Sequence, residues 1–178
     1  MNDIENLVKQ YFDVDGQTIF NHDGSVKIIG GVSLVIGITK LPVKFSEVTS
    51  YATFTKHDLT TLEGSPERVG DDFSCVGNNL SNLEGGPKIV KGSYDCFANP
   101  LTSFKGIPDT VEGEFWCDWI ENVPMLSLLK YDKVSVIAPD TAITNIFIKY
   151  AGQKPLRQAI IKCQKELIDL GYEGNARL

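Results

Sequence analysis

Three consecutive lines of sequence decide the fold: LTTLEGSPERVGDDFSCVGNN from Leu59, LSNLEGGPKIVKGSYDCFANP from Leu80, and LTSFKGIPDTVEGEFWCDW from Leu101 to Trp119. They share L-x-x-[LF]-x-G-x-P-x-x-V followed by [FY]-x-C, at a period of 21 residues with no insertion. ITKLPVKFSEVTSYATFTKHD, from Ile38, is a weaker copy that keeps Ile38, Leu41 and Val48 and places Phe54 where the others have cysteine. Tandem units at a fixed period predict a solenoid, because one such unit cannot bury its apolar face alone and has to stack on its neighbours.

Within each unit the Gly and Pro punctuate a turn, and the Val, Phe/Tyr and Cys positions carry the period of two expected of a strand. Val69, Asp71, Phe73 and Cys75 are expected to share the inward face, joined by Leu59 and Leu62 from the preceding loop. About five apolar side chains per rung, each worth roughly 1.5–3 kcal/mol when buried, would hold the stack together. Cys75, Cys96 and Cys117 are one period apart and are expected to form a buried column rather than disulfides or a metal site. Asn78 or Asn79, with Asn99 a repeat later, sits where a turning backbone leaves amides to be capped.

The same alternation sends one residue set outward. One expected column runs Tyr51, Asp72, Ser93, Glu114 and the next runs Thr53, Ser74, Asp95, Trp116, with Lys91, Glu112, Phe97 and Asp118 on the same parity. Aromatic anchors among carboxylates suit a protein-binding face. The candidate partner-binding residues are therefore Tyr51, Asp72, Lys91, Asp95, Phe97, Glu112, Glu114, Trp116 and Asp118. A solvated face whose charges only keep an open solenoid soluble would show similar acidity. Trp119 could equally pack beneath a C-terminal cap.

The chain is expected to be a single domain over residues 1–178, of class α+β. Residues 1–37 form an N-terminal cap and degenerate first strands, 38–119 the repeats in about four rungs, and 120–178 a C-terminal α/β cap. Ile4, Leu7, Val8, Tyr11 and Phe12 have helical spacing. Beyond Trp119, a short helix or turn over Val123 to Leu129, a strand over Lys133 to Ala138 and two helices are expected. Asp140 caps the first helix, which Gly152 ends; Pro155 opens the second, which Gly171 ends. A β-solenoid has to cover its last open edge, and a helical pair does so.

The formal net charge is −6, and ten acidic against four basic residues in Leu59 to Trp119 account for all of it. That distribution argues against nucleic acid or an anionic membrane as ligand and for a protein with a basic surface. The N-terminus lacks a basic segment followed by an apolar run, so a cytoplasmic protein is expected. No phosphate loop, G-x-S-x-G context or clustered histidine occurs, so no catalytic residue, cofactor or metal site is expected. The oligomeric state is open on sequence.

FSCVGNNLSNLEGGP and YDCFANPLTSFKGIP resemble the F-x-C-x-x-N-x-L-x-x-L-x-G-x-P repeat of leucine-rich-repeat-like proteins of tailed, T4-like bacteriophages. ITKLPVKFSEV resembles the entry into those repeats, and IIKCQKELIDLGYEGNARL resembles their C-terminal segment. The resemblance spans roughly Asp23 to Leu178. It implies a leucine-rich-repeat-like solenoid in the cytoplasm of an infected host cell, with a binding role and no transferable catalytic residue. The leading expectation is a non-enzymatic inhibitor of a host or anti-phage defence protein. The alternatives are a protein that sequesters a small molecule such as a nucleotide, in a pocket between repeats and terminal helices, or a virion interaction protein.

Overall fold

The computed structural model describes residues 2–178 and shows a parallel-strand β-solenoid of about five turns with helices at both ends. Helix α1 (Asn2–Tyr11) leads into β1 (Phe12–Phe20), which pairs antiparallel along the whole of β2 (Val26–Leu34). β2 is itself a complete rung. Its first half pairs with β3 (Phe45–Val48) and its second half with β4 (Ala52–Thr53), both in parallel. The segment read as degenerate first strands is therefore the first turn of the stack, and counting from Ile38 undercounts the rungs.

Each later rung contributes two short strands to two parallel ladders. The first ladder continues from β3 through β5 (Arg68–Val69), β7 (Ile89–Val90) and β9 (Thr110–Val111). The second continues from β4 through β6 (Phe73–Ser74), β8 (Tyr94–Asp95) and β10 (Phe115–Asp118), and ends on β11 (Val134–Ile137). Pairs such as Arg68 with Ile89 and Ser74 with Asp95 lie 21 residues apart, so the register is the sequence period itself.

Between the ladders the chain turns a corner, which corrects one expectation. Asp71 does not point inward: Gly70, Asp71 and Asp72 are all exposed, while Val69 and Phe73 on either side are buried. β5 stops at Val69 and β6 starts at Phe73, so strict alternation does not cross the gap. Three residues on the outside of a bend replace the single inward one that continuous pleating would require.

Inside, like stacks on like. Phe54, Cys75, Cys96 and Cys117 are fully buried at equivalent positions, and their neighbours Ala52, Phe73, Tyr94 and Phe115 form the adjoining column. Aromatic rings run almost the length of the stack. Centroids are 5.8 Å apart for Phe54–Phe73, 5.0 Å for Phe73–Tyr94, 5.3 Å for Tyr94–Phe115 and 5.0 Å for Phe115–Tyr131. Such pairs add about 0.5–1.5 kcal/mol each beyond area burial. The cysteines are free, and burial pushes their thiols well above the usual range, so they serve as small core side chains.

A polar ladder closes the turns after the second ladder. Asn78 donates from Nδ2 to the carbonyls of Phe54 (2.6 Å) and Cys75 (2.9 Å) and accepts on Oδ1 from the amides of His57 and Leu59. Asn99 repeats this a rung later, donating to Cys75 and Cys96 and accepting from Leu80. His57 occupies the same position a rung earlier, its Nε2 lying 2.8 Å from the Leu34 carbonyl. Buried backbone groups that would otherwise lose water are thus satisfied across rungs.

The C-terminal end closes as the capping residues foretell. A 3-10 turn (Leu126–Lys130) precedes β11, and Asp140 accepts from the Ala142 amide at the start of α2 (Thr141–Tyr150). Thr144 on α2 donates to the Val136 carbonyl of β11 (2.7 Å), which blunts that edge. α3 (Leu156–Asp169) follows, burying Ala159, Cys163 and Leu167. Asn175 then reaches back to the carbonyls of Ile120 and Val123 and accepts from the Asn122 amide, closing the turn after β10. Among the described residues no helix is long and apolar enough to cross a membrane.

The turn glycines are stack-specific. Gly64, Gly85 and Gly106 have φ of +97°, +82° and +87°, and a Cβ on Gly85 would lie 2.6 Å from the Glu63 amide nitrogen one rung away. Gly171 has a similar φ of +87° with nothing within 4 Å of a built Cβ. Gly85→Ala is expected to lose about 2 kcal/mol or more beyond the loss from Gly171→Ala in denaturant unfolding, because only the former adds a backbone collision to the strain. Equal losses would show that rung spacing does not constrain the turn.

Candidate functional site

The structure divides the predicted face at the corner. Lys91 and Glu112 each follow a first-ladder strand and belong to that ladder's outer side, where Lys91 shares a cavity with Arg68 and Gly70. Tyr51, Asp72 and Glu114 lie at the corner itself. Asp95 and Trp116 lie on the second ladder, directly paired in register, with Phe97 and Asp118 two residues beyond them. The nine candidates therefore do not form one flat surface, because the bend separates residues that strict alternation would align.

Several of these side chains are engaged within the fold. Asp72 accepts from the Ser93 amide one rung on (2.7 Å), and Ser93 in turn accepts on its hydroxyl from the Glu114 amide (3.3 Å). Glu114 accepts from the Ser135 hydroxyl (2.5 Å). This corner column carries its own hydrogen-bond chain from rung to rung. Asp118 accepts from the amide of Ala98 (2.5 Å), a residue held at φ +57°. The ring of Tyr51 covers Gly31, where any side chain would collide with it. Trp119 packs edge-on against Phe147 and Tyr172 under the C-terminal cap, with centroids 6.5 and 5.2 Å away.

What remains on the second ladder is a compact set. Trp116 and Phe97 are partly exposed, Val76 lies next to Phe97 one rung back, and Ile137 on β11 is 46% exposed. Asp95 stands among them, half-buried. Burial, reinforced by the carboxylates of Asp72 and Glu114, raises its pKa to about 6. A carboxylate held this way gains from any cation brought to it, and the indole beside it offers a flat apolar contact. Among the described residues no group of three His, Cys, Asp or Glu side chains is placed to hold a metal ion.

A separate cavity of about 460 Å³ lies between α2 and α3, lined by Ala142, Ile146, Lys149, Glu166 and Leu170 among others. Its Lys149–Glu166 pair is closed at 2.6 Å, and Tyr150 donates to the same carboxylate at 2.6 Å, which lowers the Glu166 pKa. It sits between the terminal helices, not between repeats and helices.

No protein-family model, curated protein or solved structure matches the chain.

The raised pKa fixes the sign of a pH effect. Asp95 ionises near pH 6 in the fold but near 3.8 when free, so its contribution to stability is fully present below about pH 4 and is lost as pH rises through 6. Asp95→Asn is therefore expected to raise the unfolding free energy at pH 7.5 by no more than about 1 kcal/mol after solvent screening, read as a higher thermal midpoint, with the gain vanishing near pH 4. A variant less stable than the parent at pH 7.5 would contradict the assignment.

Proposed function

We infer that this chain is a phage-encoded, non-enzymatic binding solenoid that occupies a host or anti-phage defence protein through the outer face of its second ladder. The observation that carries this reading is the pairing of Trp116 with Asp95, a partly exposed indole beside a carboxylate near two others. Such a face is complementary to a partner presenting lysine or arginine among apolar side chains. The resemblance of the repeats to leucine-rich-repeat-like phage proteins supports the phage origin and the binding role, and the acidity of the repeats supports a basic partner.

Side chains with structural tasks narrow the contact set. Tyr51, Asp72, Glu114 and Asp118 help to build the surface, whereas Asp95, Phe97 and Trp116 are left to recognise the partner. The small-molecule alternative draws on the cavity between α2 and α3, where Lys149 and Glu166 are already paired with each other and Asp169 is the remaining charge.

Affinity capture from infected cells, with tagged parent protein beside Asp95→Lys/Trp116→Ala, tests the reading. Both changes lie on an outer face, so the variant should keep its fold by circular dichroism and lose the captured protein by at least about tenfold. Undiminished capture by a folded double variant would remove this face from the account. A bound small molecule in the native mass spectrum, without a protein partner, would favour sequestration.

A further inference from the structure

The outer face of the first ladder, unlike the second, mixes both signs of charge, with Lys27, Arg68 and Lys91 against Glu47 and Glu112. Lys27, Glu47, Arg68 and Ile89 follow one another along one outward column, and Thr49, Gly70, Lys91 and Glu112 along the next. Glu47 is taken by Lys27 at 2.5 Å. Arg68, Lys91 and Glu112 form no ion pair among the described residues. Arg68 and Lys91 are thus two unpaired cations on adjoining outward columns.

They surround a depression that the backbone creates. Gly70 has no side chain, and none could be added without driving a Cβ into the Thr49 carbonyl oxygen of the preceding rung. The absence of that side chain opens a cavity of about 200 Å³ whose lining includes Arg68, Lys91, Thr49 and Ile89, together with Glu47, whose carboxylate is held by Lys27. The Thr49 hydroxyl accepts from the Gly30 amide, so its own proton is free to be donated outward. The backbone amides of Gly70 and Lys91 are already spent on Val48 and Val69, which leaves recognition to side chains.

We propose that this depression is an oxyanion site that takes the phosphoryl group of a small phosphate ester. A guanidinium fork, an ammonium and a hydroxyl around one hollow supply donors to three oxygens of a tetrahedral anion, where a planar carboxylate has only two to offer. The volume takes the phosphoryl group and the first atoms of the ester, and the remainder of the ligand extends along the exposed ladder. Nothing in this site depends on Asp95 or Trp116, and it stands or falls separately from the protein-binding face.

The test is a titration of the full chain followed by amide chemical shifts. Inorganic phosphate, acetate and chloride are added at matched ionic strength, and the signals of Thr49, Gly70 and Lys91 are read. Phosphate is expected to give saturable shifts confined to these rungs, with acetate and chloride giving only small linear ones. Arg68→Gln and Lys91→Gln, both at exposed positions, should each weaken phosphate binding about tenfold while the spectrum elsewhere is preserved. Arg68→Lys should fall between, since it keeps the charge and loses the fork. Non-saturable shifts, an equal response to acetate, or phosphate binding unchanged in the Arg68→Gln/Lys91→Gln double variant would each overturn the proposal.

Discussion

Every inward position has to pack on the residue one rung above and below it. Neighbouring strands lie about 4.8 Å apart, so a side chain in the core of one rung rests on its equivalent in the next. That constraint produces the columns Phe54–Cys75–Cys96–Cys117 and Ala52–Phe73–Tyr94–Phe115. It also governs the backbone: turn glycines pass too close to the preceding rung for a Cβ, and the polar groups at each turn find partners across rungs. The solenoid is therefore one cooperative object, and the helices at its ends protect the stack rather than form cores of their own.

The columns divide the side chains by task. Inward residues repeat because packing repeats. Corner residues such as Asp72, Ser93 and Glu114 differ in identity but share a role, each presenting a polar atom to the next rung. Only the residues left over are free to vary for recognition, and the corner sorts them into an acidic aromatic face and a smaller basic depression. The two outer faces of one short stack therefore differ in chemistry.

Much of this was legible because the period was unbroken. The inward cysteines, the Asn78–Asn99 ladder, the Asp140 cap and the helix stop at Gly171 all follow from spacing and local chemistry. The corner was hidden, since Val69 and Phe73 keep the same parity whether the strand runs straight or bends between them. Gly92 and Gly113 stand at the position of Asp71, and they were the available clue that this position does not face the core. His57 was also within reach, 21 residues before Asn78. Asn175 was not: it closes a turn more than fifty residues earlier, a contact set by how the C-terminal segment folds back over the last rung.

Native-state hydrogen exchange after Asn78→Ala tests the cooperative stack most directly. The amides of Ala52, Phe73, Tyr94 and Phe115 each donate to the following rung or its extension. In the parent all four are expected to exchange with one common opening free energy, and Asn78→Ala should lower all four together by about 2 kcal/mol or more. Faster exchange at Ala52 and Phe73 alone, with Tyr94 and Phe115 unchanged, would contradict the claim that no rung stands apart from the others.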